Sequence, residues 1–158
     1  MSEAESSTAL SNMSKNPDTP SQPPPAFVFR DACDRPISPE DLRGVFVRSG
    51  IHRPTDDLGR LAKMVANADL LVGAWVDDLL VGVARGLTDF SYCCYLSDLA
   101  VDRAYQRRGV GKSLIRHIQT QLSDEVMILL VAAPDAKDYY KPLGFEWVER
   151  AWRFPRRA

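Results

Sequence analysis

The segment from Ala100 to Leu114, AVDRAYQRRGVGKSL, constrains the fold of this 158-residue chain more than any other. A strand pattern over residues 92–101 runs into a turn that contains Gly109 and Gly111, and an amphipathic helix pattern follows. Backbone N–H groups gather at the start of such a helix, where the helix dipole favours an anion. The segment is therefore typical of a phosphate-binding loop or of an ordinary basic helix start, and its spacing alone does not separate the two.

The other patterns along the chain predict an α/β domain. Ser38, Pro39 and two acidic residues are typical of a helix start, and a short apolar run over residues 126–133 favours a buried parallel strand. Strands are predicted over residues 26–30, 70–76, 79–87, 92–101, 126–133, 145–150 and 151–155, and helices over 39–50, 58–66, 110–122 and 134–142. The predicted order is β-α-α-β-β-β-α-β-α-β-β on a mixed sheet.

Composition excludes several classes of protein. Residues 1–25 are rich in Ser, Thr and Pro, so we expect a disordered tail followed by one folded domain over residues 26–158. A formal net charge of −1 and a pI near 6.1 argue against a nucleic-acid-binding domain. The apolar runs are too short to span a membrane, and no secretion signal is present, so we expect a cytoplasmic protein. Three cysteines without a CxxC spacing, and two isolated histidines, predict no metal site.

Two motifs resemble those of a known family. Gln106 to Gly111, QRRGVG, resembles the acyl-coenzyme A loop of the GCN5-related N-acetyltransferase (GNAT) superfamily, whose pattern is Gln/Arg-x-x-Gly-x-Gly/Ala. Tyr139 to Phe145, YYKPLGF, is similar to a second element of that family, aromatic-Tyr-x-x-x-Gly-Phe. The resemblance covers residues 26–158 and implies a GNAT-type, mostly antiparallel twisted sheet with helices on both faces. The chain departs from the family at residues 132–135, AAPD, where an asparagine often contacts the cofactor.

The resemblance also implies acetyl-coenzyme A as the acyl donor, with no metal. The backbone of three strand residues would pair with the pantetheine arm, and loop amides would bind the pyrophosphate. Ser113 would contact phosphate or serve only as a helix-start serine, and the two loop arginines would assist binding or remain solvated. The implied donor-binding residues are Leu99, Ala100, Val101, Arg107, Arg108, Gly109, Val110, Gly111, Lys112 and Ser113.

Two further residues are candidates for proton transfer. An alkyl amine is only about one part in a few thousand neutral at pH 7, so a base would assist its attack on the thioester. Asp98 is the candidate base, and the alternative is that it orders a hydrogen-bond network or binds the amine as a counter-ion. Tyr140 lies where the family places a general acid for the departing sulfur, and the alternative is a packing role.

These residues predict an N-acetyltransferase that acts on a primary amine, most simply a small molecule. The acceptor could equally be a protein lysine or an N-terminus. The resemblance implies an acceptor pocket near the connection over residues 50–57, which includes Arg53, Asp56 and Asp57, and the alternative is that these side chains form a solvated helix-entry loop. A hypothesis of another class is a non-catalytic module that binds or senses acyl-coenzyme A. We expect neither nucleic acid nor membrane as partners, and a homodimer is plausible because late strands would be exposed.

Overall fold

The computed structural model describes residues 25–157, so the predicted tail lies outside the described residues except for Pro25. A five-stranded sheet has the order β1-β2-β3-β4-β5, in which the first four strands are antiparallel neighbours and β5 is parallel to β4. The strands are β1 Val28–Asp31, β2 Leu70–Val76, β3 Leu79–Thr88, β4 Cys93–Val101 and β5 Met127–Leu129. The predicted mixed, mostly antiparallel α/β fold is confirmed.

The first two helices begin and end within one residue of their predicted bounds, whereas the third ends two residues before residue 122 and the fourth covers only four of the predicted residues 134–142. The Ser38 hydroxyl accepts a hydrogen bond from the Asp41 amide at 3.0 Å, and the Asp41 carboxylate accepts one from the Ser38 amide at 3.1 Å. Gly50, in the left-handed region with φ of 77°, ends the same helix. The helices are α1 Pro39–Ser49, α2 Leu58–Ala66, α3 Val110–Thr120 and the one-turn α4 Lys137–Tyr140.

The sheet carries helices on both faces, as the resemblance implies. On one face, Leu114 and Ile118 of α3 pack against β2, β3 and β4. On the other face, Leu42 and Phe46 of α1 pack with Leu61 of α2. Burial of these apolar stripes fixes α3 across β2, β3 and β4, and it fixes α1 and α2, with the connection between them, on the opposite face.

The C-terminal part differs from the prediction. β5 covers only three residues of the predicted 126–133, and it is an edge strand rather than a central one, with Met127 53% exposed. Residues 145–150 and 151–155 form no strand, although their patterns predict two. An alternating pattern of apolar residues defines a face that can be buried, but it does not provide a neighbouring strand for backbone hydrogen bonds. Trp152, in the second of these two segments, is 99% exposed. The described order therefore ends at α4.

Within residues 25–157, no helix combines the length and the apolar character that crossing a bilayer requires.

Candidate active site

One edge of β4 is free over most of its length. β5 pairs with β4 only at Cys93–Tyr95, whereas β3 pairs with β4 from Cys94 to Val101. Over residues 96–101, no described strand pairs with the second edge, because β5 ends at Leu129. Leu99, Ala100 and Val101, predicted to pair with an extended ligand, therefore lie on a strand edge that can accept one.

A β-bulge interrupts the pairing of β4 with β3, at residues whose other edge is free. Arg85 is the cross-strand partner of Asp98, and Gly86 is the partner of Leu96, so Ser97 is the additional residue in β4. A bulge of this kind re-aims the side chains that follow it. Leu96 belongs to the core under α3, whereas Ala100 belongs to the core under α1 and α2. The bulge therefore turns Asp98 towards the α1–α2 connection.

The loop between β4 and α3 is held by short-range hydrogen bonds. The Asp102 carboxylate accepts one from the Ala104 amide at 2.9 Å, and the Gln106 side-chain amide donates one to the Val101 carbonyl at 2.9 Å. Arg107 and Gly109 both lie in the left-handed region, with φ of 61° and 81°. Alternation of such residues with right-handed ones points successive N–H groups into a shared concavity, which suits an anion.

No described side chain caps the first turn of α3. α1 and α2 begin with caps from Ser38 and Asp57, whereas the N-cap of α3 is Gly109, which offers no side-chain acceptor. The Ser113 amide donates to the Gly109 carbonyl at 3.0 Å, so Val110, Gly111 and Lys112 are the residues whose amides precede the helical ladder. Such unpaired donors at a helix start are ready to bind a phosphate.

The two glycines of this loop serve different purposes. A side chain on Gly109 would meet no atom within 4 Å, so its left-handed φ is what favours glycine there. A Cβ on Gly111 would clash with the Tyr139 hydroxyl oxygen, so packing against that tyrosine is what favours glycine there. The side chains of Arg107, Arg108 and Lys112 are exposed around the same loop.

Asp98 is buried in an ion cluster. It is 1% exposed, and its two carboxylate oxygens accept separately from the Nε atoms of Arg53 and Arg85. Arg53 Nη2 also donates to the Ser97 carbonyl at 2.8 Å, and Arg85 Nη2 donates to Ser97 Oγ at 2.9 Å. A carboxylate held in this way is poorly placed to take a proton from a substrate, so the geometry favours the network-ordering role for Asp98 over the general base.

Tyr140 lies in an aromatic cluster beside the core under α3. Its ring packs edge-on against Tyr139 and Phe145, with centroid distances of 5.2 and 5.6 Å. Burial, and secondarily the neighbouring Tyr139 hydroxyl, raise the pKa of Tyr140 above its ordinary value of 10.0. Tyr140 therefore keeps its proton at neutral pH, and its hydroxyl has no hydrogen-bond partner among the described residues, which leaves it able to donate.

Comparison with known proteins identifies the family. Residues 46–154 match the model of the acetyltransferase (GNAT) domain. The chain belongs to the GNAT acetyltransferase family. The matched residues include both motifs as well as β4, α3 and the Tyr139–Tyr140 pair, so the predicted membership is confirmed.

Curated relatives of the GNAT domain match it over a short stretch. Histone acetyltransferase TAP1 of Glycine max is 38% identical over 69 residues, which are 42% of this chain and 30% of that protein. GCN5-related N-acetyltransferase 2, chloroplastic, of Arabidopsis thaliana is 36% identical over 69 residues, which are 42% of this chain and 27% of that protein. The alignments thus span less than a third of the length of either relative.

Solved structures share the GNAT fold over most of the chain. A probable acetyltransferase, SA2161, from Staphylococcus aureus superposes with a TM-score of 0.72 at 20% identity and covers 83% of this chain and 99% of its own. A putative acetyltransferase from Deinococcus radiodurans gives 0.68 at 25% identity and covers 83% and 88%. The aminoglycoside N-acetyltransferase AAC(6')-Iy in complex with CoA gives 0.64 at 20% identity and covers 86% and 98%.

The GNAT site also contains residues that the sequence prediction did not include. Arg85 binds Asp98, and Tyr139 covers Gly111. Arg85 could have been identified from the sequence, because it is the one charged residue in the otherwise apolar strand LLVGVARGLT. A charge at a buried strand position needs a partner. His52 and His117 do not come together, since His117 stacks on Phe29 of β1, and the described residues contain no group of side chains that could hold a metal.

Proposed function

We propose that this GNAT domain is an N-acetyltransferase that moves an acetyl group from acetyl-coenzyme A to a primary amine of a small molecule. One observation carries the proposal: the free edge of β4 leads directly into the uncapped first turn of α3. An acyl donor that has an extended arm at one end and an anionic group at the other would fit this strand edge and helix start. The solved structures of AAC(6')-Iy with CoA and with a CoA-based bisubstrate analogue share the fold, which supports the choice of donor.

The residues present fit coenzyme A without a metal. Main-chain groups of Leu99 to Val101 would bind the pantetheine arm, and the amides of residues 107–112 would bind the pyrophosphate. The hydroxyl of Ser113, in the same first turn, would add a phosphate contact. Because the backbone supplies most of these contacts, the exposed Arg107, Arg108 and Lys112 would contribute general positive charge rather than fixed geometry.

The proposed reaction is direct transfer. The lone pair of a neutral amine attacks the thioester carbonyl carbon, the C–N bond forms, and the C–S bond breaks to release a thiolate. Tyr140 gives its proton to that sulfur and is reprotonated from solvent, while water accepts the proton that the amine loses. A phenol and a thiol differ by about 1.5 pKa units in water, so this transfer costs about 2 kcal/mol before burial adds to it. Asp98 holds Arg53 and Arg85 in place.

Two alternatives are each favoured by a particular observation. The name of the soybean relative, a histone acetyltransferase, favours a protein lysine or N-terminus as the acceptor. The engagement of Asp98 by two arginines favours a module that binds acyl-coenzyme A without turnover. We propose no nucleic acid or membrane partner. The cytoplasm remains our proposal for its location, with a plastid as the alternative because one relative is named chloroplastic.

Thiol release with acetyl-coenzyme A tests the proposal. The full chain is assayed against small primary amines, a lysine-containing peptide and a peptide with a free N-terminus. We expect acceptor-dependent release that is fastest with a small amine. Fastest release with a peptide would establish the protein-acetylating alternative, and tight donor binding with no acceptor-dependent release would establish the non-catalytic module.

A further inference from the structure

The ion cluster of Arg53, Arg85 and Asp98 carries an unbalanced positive charge. Two guanidinium groups share one carboxylate. The side chain of Asp98 is fully buried, and that of Arg85 is only 8% exposed. Burying a charge costs free energy unless an opposite charge pairs with it. The cluster therefore keeps a net charge of +1 in a largely buried position, where an unpaired charge is energetically unfavourable.

Within residues 25–157, no other buried carboxylate offsets this excess. Among the described residues, Asp98 and Asp102 are the buried acidic residues. Asp102 is bonded to a different arginine, with 2.7 Å between its Oδ2 atom and Arg48 Nε. Arg48 is in turn fixed to the Leu80 carbonyl at 2.6 Å. Each buried carboxylate is thus accounted for, and the second guanidinium of the Asp98 cluster remains without a counter-charge in this part of the chain.

The excess charge reaches the surface. Arg85 uses Nε for Asp98 and Nη2 for Ser97 Oγ, and its Nη1 has no partner among the described residues. Among the described residues, the side-chain nitrogen or oxygen that is both shielded from solvent and without a hydrogen-bond partner is Trp75 Nε1. Arg85 Nη1 also lacks a described partner but is not shielded, so it is in contact with solvent. Arg53 is 29% exposed at its side chain. Because Arg53 Nη1 donates to the His52 carbonyl at 2.8 Å, Arg85 Nη1 is the nitrogen of this cluster that is left without a described partner and is available to an incoming anion.

The cluster lies beside the site at which acetyl transfer would occur. Asp98 directly follows the β4 bulge at Ser97, in the part of β4 whose edge away from β3 is free, and Arg53 belongs to the connection between α1 and α2. Under the proposed function, the thioester would lie along that edge, and the acceptor would approach from that connection. An acceptor amine bound there would have the two arginines within reach of its substituents.

We propose that Arg85 and Arg53 select an acceptor that carries a carboxylate close to its amine, as an amino acid does, over a cationic amine such as a polyamine or a basic peptide. This inference rests on the proposed function. Guanidinium groups bind carboxylates through paired, charge-assisted hydrogen bonds. The same positive charge repels a polycation and favours the neutral, nucleophilic form of a nearby amine.

Matched pairs of acceptors test this selection. Phenylalanine and phenethylamine share a skeleton and differ by the carboxylate, as do alanine and ethylamine, and spermidine represents the polycations. We expect thiol release to give a kcat/KM about tenfold or more higher for the carboxylate-bearing member of each pair, compared at equal concentrations of neutral amine. Spermidine is expected to be the poorest acceptor.

Substitution of Arg85 identifies the side chain responsible. We expect Arg85→Gln to lower kcat/KM for phenylalanine by about 10- to 100-fold and that for phenethylamine by less than about threefold. Arg85→Lys, which keeps the charge, should retain part of the preference. Arg43→Gln removes an exposed arginine of α1 and serves as the control, with both acceptors unaffected. Binding of acetyl-coenzyme A, measured by calorimetry, verifies that each variant is folded.

Three outcomes would overturn the inference. Equal kcat/KM within each acceptor pair, or a preference that Arg85→Gln leaves intact, would contradict it while the N-acetyltransferase proposal stands. An absence of release with every acceptor would contradict both proposals together.

Discussion

The proton that an acceptor amine loses has to pass to an atom that the amine can reach, and the carboxylate of Asp98 is enclosed between two arginines. Each carboxylate oxygen accepts from a separate arginine, and the side chain has no exposed surface. Tyr140 is the opposite case, because its hydroxyl has no described partner and burial strengthens its hold on a proton. At the residue scale, the site can therefore supply an acid more readily than a base.

Asp98→Asn separates a positioning role from a catalytic one. The substitution leaves two guanidinium groups without a counter-charge, so we expect a loss of about 3 kcal/mol in the free energy of unfolding, measured by urea denaturation. Residual kcat/KM should show the wild-type pH dependence. A variant with wild-type stability whose pH profile has lost an ionisation would instead identify Asp98 as the base.

Tyr140→Phe tests the proposed acid. We expect kcat to fall by about 10- to 100-fold, because the thiolate then leaves without a proton. Since burial raises the pKa of Tyr140 above 10.0, the wild-type kcat should not decline through loss of this proton at any pH below about 10. Tyr92→Phe, at a tyrosine that is 74% exposed, is the matched control. An unchanged kcat in Tyr140→Phe would assign the residue to packing.

At the scale of elements, the strand, loop and helix from β4 to α3 act as a unit. β4 ends at Val101, and Gln106 is bonded back to that carbonyl before α3 begins at Val110. The backbone conformation of the loop, rather than its charge, determines where the helix amides point. Substitutions that disturb the backbone should therefore weaken donor binding more than substitutions that remove charge.

Two glycine substitutions test this element. We expect Gly109→Val to weaken binding of acetyl-coenzyme A by about tenfold or more, since a left-handed φ costs other residues about 1–2 kcal/mol. Arg107→Ala should change the calorimetric Kd by less than about threefold. Gly111→Ala should also weaken binding, and the added Tyr139→Phe should restore part of it by removing the clash between the new methyl group and the hydroxyl oxygen. A larger effect from Arg107→Ala than from Gly109→Val would contradict the backbone account.

At the scale of the whole molecule, the sheet separates the two proposed substrates. The loop, α3 and the Tyr139–Tyr140 pair lie on one side, while the Asp98 cluster faces the α1–α2 connection on the other. The free edge of β4 is where the two sides meet. This arrangement would let a thioester on that edge face an amine from the opposite side.

Features that depend on adjacent residues can be predicted from the sequence, whereas features that depend on pairing between distant residues cannot. The Ser38 cap, the break between the strands predicted over residues 70–76 and 79–87, and the start of α3 depend on adjacent residues, and their predictions are confirmed. The predicted strands over residues 145–155 required a partner edge, which no local pattern can supply. The pairing of Arg85 with Asp98 also depends on strand register, which the bulge at Ser97 shifts by one residue.

The structure of the full chain with coenzyme A bound is the most direct test of the central claim. We predict the pyrophosphate oxygens within about 2.7–3.2 Å of backbone nitrogens in residues 107–112, with the pantetheine arm paired to Leu99–Val101. The thiol should then end beside the bulge at Ser97, with the Tyr140 hydroxyl facing the sulfur. Coenzyme A bound away from the first turn of α3, for example in the open groove between β5 and the C-terminal residues, would contradict the account.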